Sequence, residues 1–293
     1  MIFQFIEVEK ANYPITLLCK TMGVSRSRFH EWRAGGPSQR DLEDTYLTNE
    51  IVDIHTASRG SYGSPRVHAE LRLGRSVRCG RKRVERLMKT VGLQGIHRRR
   101  LHGCTRRDPN AVASDDLVGR SFTAAAPNRL WVADVTQQMT WQGWVYLAVV
   151  IDVYSRRVVG WAIADHLRAE LVCDALDMAV WTRRPQPGVI HHSDHGAQYT
   201  SYMFGKRLRD KGILDSMGSV GDANDNAMAE SFFASLETEL LDRHTWHTRD
   251  QLANAIFEWI NAWYNPRRRH SALGHLSPIQ YEQQHHTTAH QAA

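Results

Sequence analysis

Three carboxylates and a run of histidines are the residues of this chain best suited to chemistry. Asp134 stands in "LWVADVT", an otherwise apolar stretch that reads as a strand. A charge there is costly unless it is paired or holds a metal ion. Asp194 ends the apolar run that opens "VIHHSDHGAQYTS" and reads as the end of another strand. Glu230 falls in "NAMAESFFASLETELL", where Ala229, Phe232, Phe233, Leu236 and Leu240 recur as a core-facing helical stripe. Asn226, Glu230 and Glu237 then share a neighbouring face. If the two strands are adjacent, the aspartates meet near one end of a sheet. Acids gathered without a basic residue between them repel unless a cation joins them. Carboxylate oxygens with room for waters select Mg²⁺ or Mn²⁺ over zinc. Each acid also has a plainer reading: Glu230 as a solvated helix face, Asp194 as a turn former. Asp134 fits a plain role least well.

The histidines offer a different metal. Zinc needs imidazoles converging on one ion, whereas His191 and His192 on a strand point to opposite faces. The spacing H-H-x-D-H also misses H-x-H-x-D-H by a residue. His192 and His195 fit better as groups that orient Asp194 by hydrogen bonds, and His195 also as a substrate contact.

The elements that must position these groups follow from the pattern. "NRLWVADVTQQM", "GWVYLAVVIDVYS" and "RVVGWAIAD" are β-rich runs with short gaps and predict an antiparallel meander. A helix over "AELVCDALDMAVWTR", a strand at "GVIHHSD", a helix over "YMFGKRLRDKG" and a short strand at "ILDSMG" precede the Glu230 helix. The order predicts a mixed five-stranded sheet flanked by helices, an α/β core over 128–241. A C-terminal helix and basic tail over 242–293 follow; there Leu252, Ile256, Trp259, Ile260 and Trp263 dock "YNPRRRHSALG" and its Arg267, Arg268 and Arg269.

The first part of the chain has another texture. "PITLLCKTMGVSRSRFHEWRAGG" divides into two short helices around Gly23, with Ser25 as an N-cap, a helix-turn-helix candidate over 1–40. A second basic helical module spans 41–107. Pro65 opens one helix and Gly74 ends it; after Gly80, Val84, Leu87, Met88 and Val91 form an apolar stripe, with Arg81, Lys82, Arg86 and Lys89 opposite. Such a helix suits a DNA groove. A basic linker over 108–127 joins the two halves.

Charge points the same way. The net charge of +6 conceals a basic first part, for residues 57–107 hold 15 Lys and Arg against Glu70 and Glu85 alone. Arginine grips phosphate bidentately, so a polyanion is the expected partner. No apolar run of membrane-spanning length and no secretory leader is visible. Cys19, Cys79, Cys104 and Cys173 form no C-x-x-C pair, which argues against a zinc knuckle or disulfide scaffold and fits a reduced cytoplasm.

"WVADVT", "HHSDHGAQY", "DNAMAESFF" and "YNPRRRHSALG" together resemble the large-frame (OrfB) transposase of the insertion-sequence group that makes its full enzyme by ribosomal frameshifting. That group lies in the retroviral-integrase superfamily, with an RNase H-like core, and the resemblance covers nearly the whole chain. It implies that Asp134, Asp194 and Glu230 are the catalytic DDE acids, holding two Mg²⁺ or Mn²⁺ ions. It also implies cleavage at element ends, strand transfer and integration into target DNA. The partners implied are terminal inverted repeats, target DNA, an upstream-frame (OrfA) protein and further copies of the chain, in a bacterial cytoplasm at the nucleoid. Two departures stand out. His195 replaces the Arg or Gln common after the second aspartate. Glu237 stands where the family often has Lys or Arg, moving that contact towards a neighbour such as Arg243. The competing readings are an RNase H-like nuclease without strand transfer and a DNA-binding regulator; the second has no use for the acids.

Overall fold

The computed structural model describes residues 1–96, 122–217 and 227–291. The linker expected at 108–127 lies outside them up to residue 121, as does Asn226. The chain divides into two compact units, Met1–Gly95 and Ile96–Ala293.

The first unit is helical. α1 (Ile2–Glu9), α2 (Ile15–Thr21) and α3 (Arg26–Arg33) bury Ile6, Leu18, Cys19 and Phe29 against one another. Gly23, at φ +66°, makes the turn between α2 and α3 that a side chain would strain, and Ser25 Oγ accepts from the Arg28 N–H to cap α3. Leu17, which the sequence places among the apolar positions of α2, is instead half exposed. α4 (Gln39–Ala57) starts with a Ser38–Asp41 capping box and buries Leu47, Ile51 and Ile54. It packs against α5 (Ser64–Leu73) and α6 (Arg81–Thr90). Pro65, Gly74 and Gly80 bound these helices as the sequence predicts. The α6 stripe is shorter than predicted: Val84, Leu87 and Met88 are buried, while Val91, at the C-cap, is exposed.

The second unit holds the mixed sheet. β1 (Leu130–Thr140), β2 (Gly143–Asp152) and β3 (Val158–Ala164) form the antiparallel meander; β4 (Ile190–Ser193) and β5 (Leu214–Met217) add in parallel, in the order β3-β2-β1-β4-β5. α7 (Ala169–Arg183) and α8 (Tyr202–Asp210) cover the face carrying Trp131, Ala133, Ala148 and Val150. α9 (Ala227–Glu239) packs against β1, with Ala229, Phe232, Phe233 and Leu236 buried. Gly160 lets α7 approach β3: a Cβ there would lie 2.1 Å from Ala175 O and 2.6 Å from Ala179 N. Gly160→Ala must therefore push α7 off the sheet. Its expected cost is about 1–3 kcal/mol, read as a lowered midpoint for unfolding of this unit.

The C-terminal segment packs onto the sheet. α10 (Arg249–Glu258) continues into a π-helical turn at Trp259–Tyr264, and Leu252, Ile256, Trp259, Ile260 and Trp263 are buried as the periodicity predicts. α11 (Pro278–Gln291) brings Glu282 to the β2–β3 turn and the end of α7, where it meets Ser155, Arg157 and Arg183.

Candidate active site

The register between β1 and β4 places the two aspartates. Val132 is opposite His192 in the parallel pair, and the same register two residues on sets Asp134 opposite Asp194, just past the end of β4. Both line a cleft of ≈ 200 Å³ with Gln137, Tyr146, Gln198 and Tyr199. One oxygen of each carboxylate is fixed by the backbone: Val135 N–H donates to Asp134 Oδ1 (2.7 Å), and Gly196 N–H donates to Asp194 Oδ1 (3.1 Å). The second oxygen of each is left to meet a ligand.

Electrostatics single out Asp134. Burial pushes its carboxyl up to about 7, opposed by the Val135 N–H and reinforced by the negative charges of Asp194 and Glu230. Among the described residues the charges acting on it are thus anionic, the setting in which a divalent cation is stabilising. Glu230 occupies the first turn of α9 on its exposed side. It is close enough to act on Asp134 but does not line the cleft. Among the described residues no three His, Cys, Asp or Glu side chains are already gathered around one point for a metal ion. The donor set suits a hard cation: two carboxylates share a cleft and a third is electrostatically coupled to it.

The histidines divide as the strand periodicity predicts. His191 packs edge-on against Phe204 in the α8 face, and burial, then His192, pushes it down to about 3, so it is neutral. His192 points the other way, with Nδ1 3.0 Å from Ser216 Oγ and its ring edge-on to Phe122. It therefore braces β4 against β5; no hydrogen bond from it to Asp194 is seen. His195 is half-buried in the turn after Asp194.

The expected basic contacts fare unevenly. Arg81, Lys82 and Lys89 are exposed on α6. Arg86 is exposed too, but it is engaged within the unit, 2.6 Å from Asp44, which also holds Arg83. The "RRR" run is a correction: only Arg267 is exposed. Arg268 is 5% exposed and forms a bidentate pair with Glu239 (Nη2 to Oε1 2.7 Å, Nε to Oε2 3.1 Å), and Arg269, 3% exposed, donates to Gln280 and His275 O. Consecutive arginines look alike in sequence, but the turn after Tyr264 points two of them into the protein. Glu237 and Arg243 are both exposed. Sequence reasoning missed Gln137, Tyr146, Gln198 and Tyr199 as cleft residues. Strand alternation assigns Gln137 and its cross-strand partner Tyr146 to the face of Val135, opposite to that of Asp134, and so did not point to them.

An α/β sheet of this order with paired aspartates at the β1/β4 junction defines a polynucleotidyl transferase of the integrase-core class. Integrase core domain families match residues 124–223 and 230–285, and an HTH-like domain family matches 41–100. The chain is 37% identical over 272 residues to the insertion element IS600 uncharacterized 31 kDa protein of Shigella sonnei, covering 93% of this chain and 100% of that protein. It is 35% identical over 284 residues to transposase InsF for insertion sequence IS3A of Escherichia coli K12, covering 96% and 98%. The HTLV-2 integrase catalytic core domain, solved in complex with magnesium, overlaps 54% of this chain and 98% of its own at 17% identity and TM-score 0.41. The chain belongs to the OrfB-type transposases of the frameshifting insertion-sequence group, within the retroviral-integrase superfamily.

Proposed function

We propose that this chain cuts and joins DNA at the ends of an insertion sequence, with Asp134, Asp194 and Glu230 as the ligands of two divalent ions, Mg²⁺ or Mn²⁺. The observation that carries the reading is Asp134: a half-buried strand carboxylate, opposite Asp194 in register, on which the charges of Asp194 and Glu230 act. When bound, such ions activate the attacking oxygen and stabilise the leaving one in an in-line displacement at phosphorus. The protein's own part is to hold the carboxylates. Val135 and Gly196 N–H each fix one oxygen of an aspartate in the cleft wall, leaving the other available to a ligand. Glu230, on the first turn of α9, would supply the third carboxylate from the flank of the cleft. The attacking group is water for cleavage and a DNA 3′-hydroxyl for joining, so no covalent enzyme–DNA bond forms.

DNA is held by the first unit and by Arg267. Arg81, Lys82 and Lys89 present an uncommitted basic face on α6, and the HTH-like match covers it. Because neutralising phosphates releases counterions, binding weakens steeply with salt. Replacing both Arg81 and Lys82 with alanine is expected to reduce the slope of log affinity against log salt by about 0.9 for each phosphate no longer neutralised, measured by titration of end DNA at several salt concentrations. The active assembly contains several copies and the upstream-frame OrfA protein, acting at the bacterial nucleoid on terminal inverted repeats and target DNA.

The test is incubation of the chain, with and without the upstream-frame protein, on DNA carrying terminal inverted repeats in Mg²⁺ and in EDTA. Transposition predicts Mg²⁺-dependent cleavage followed by joined products. Cleavage without joining supports the nuclease reading, and binding without cleavage supports the regulator.

A further inference from the structure

Tyr199 belongs to the turn that presents Asp194. Gly196 N–H donates to Asp194 Oδ1, and Tyr199 N–H donates back to Gly196 O (3.0 Å), so aspartate and tyrosine are set by one loop. The ring is fixed from behind by Phe204, edge-on at 5.4 Å, and by His191 at 6.1 Å. The residue is 3% exposed, yet it forms part of the cleft wall with the two aspartates. Its hydroxyl has no hydrogen-bond partner among the described residues, alone among the residues of that wall in burying an unpartnered side-chain polar atom.

A buried hydroxyl without an acceptor is costly, and native structures provide one in nearly every case. The charges that act on this phenol are those of Asp134 first and Asp194 second. Burial, then those two charges, hold it far above the usual tyrosine range, so it is a donor at every physiological pH. Asp134 Oδ1 is already taken by Val135 N–H, which leaves Oδ2 and the second lone pair of Oδ1. Metal ligation draws a carboxylate into a defined orientation, and ligating carboxylates are themselves held by hydrogen bonds.

We propose that Tyr199 is a positioning residue whose hydroxyl donates to the Asp134 carboxylate when that carboxylate takes a divalent ion. The role rests on the reading of Asp134 as a ligand. It makes metal affinity the property Tyr199 controls; the chemical step is left to the acids.

Tyr199→Phe removes the hydroxyl and keeps the ring. In the full chain bound to end DNA, the Mg²⁺ concentration for half-maximal cleavage is expected to rise by about 10–100-fold. The rate at saturating Mg²⁺ should stay within a few-fold. The same displacement should appear without turnover, as a weaker Mn²⁺-induced rise in melting temperature, while the metal-free melting temperature is unchanged or higher. An unaltered metal response overturns the proposal. So does a metal-free protein that melts earlier with its Mg²⁺ dependence intact, because that is the mark of a packing role. Asp194→Asn is the control: it should abolish the metal-induced rise. If it responds like the unsubstituted chain, the ligand reading itself fails and Tyr199's role falls with it. If it responds as expected and Tyr199→Phe does not, only the tyrosine is misassigned.

Discussion

Asp134→Asn is expected to abolish Mg²⁺-dependent cleavage and joining, while the metal-free protein becomes more stable. Activity is lost because an amide is a poor ligand for a hard divalent cation, and DNA binding is retained because the basic groups of the first unit are untouched. The gain in stability follows from linkage. Asp134 titrates near 7 in the folded protein and near 3.9 when unfolded. A raised folded value means that its stabilising contribution is complete below about pH 4 and is lost as pH rises through 7. At pH 8 the ionised, buried carboxylate costs on the order of 3 kcal/mol after allowance for its partial exposure. Asparagine avoids that cost and can still accept the Val135 N–H. In EDTA the variant should melt several degrees higher at pH 8, with the gap narrowing towards pH 5; saturating Mg²⁺ should restore the unsubstituted protein alone. A carboxylate that destabilises its own fold is expected of a site that takes a cation.

Glu282→Ala is expected to cost about 3–5 kcal/mol, the largest stability effect of any single substitution considered. Its carboxylate accepts from Ser155 Oγ (2.7 Å), Arg157 (2.8 Å) and both terminal nitrogens of Arg183 (2.8 and 2.9 Å), at 4% exposure. Arg183 in turn donates to Asn128 Oδ1 (2.7 Å) and lies 3.7 Å from Asp152, itself buried. Removing Glu282 leaves two guanidiniums with much of their partner gone in a dry site. Burial pushes the Glu282 carboxyl up, but the hydrogen bonds and charge of Arg183, then Arg157 and Ser155, outweigh it and hold the group below its usual range. A lowered folded value gives stability that is present above about pH 4.3 and lost as pH falls through the folded value. Chemical denaturation at pH 7 and again near pH 3 should therefore show the penalty shrinking in acid. Because α11 is pinned to the β2–β3 turn and to α7 by this group, activity should fall with stability even though Glu282 does not line the cleft.

The sequence made the catalytic half of the molecule more legible than the rest, and for a physical reason. Asp134 interrupts an apolar strand, and an isolated charge in such a run has few inexpensive explanations; the two-residue period then assigns His191 and His192 to opposite faces. The meander and the α9 stripe follow from periodicities that packing enforces, whereas the parallel pairing of β4 with β1 was only a condition in the sequence and is seen in the structure. The arginines were less legible, because a guanidinium that grips phosphate and one buried against an acid are written with the same letter. Arg268 and Arg269 turned out to be internal because Glu239 on α9 and Gln280 on α11 reach them. Arg86 was matched by Asp44 on α4 in the same way. Tyr199 was hidden for the opposite reason: its ring is ordinary core, and only its neighbours in space make its hydroxyl unusual.

That Asp134, Asp194 and Glu230 share divalent ions is tested most directly by seeing Mn²⁺ itself. In crystals of the full chain on its end DNA grown with Mn²⁺, anomalous scattering should place metal within about 2.0–2.2 Å of oxygens from Asp134 and Asp194, with Glu230 completing the set. Manganese bound instead through the imidazoles of His191, His192 or His195, or these carboxylates standing free of metal beside a bound scissile phosphate, would contradict it.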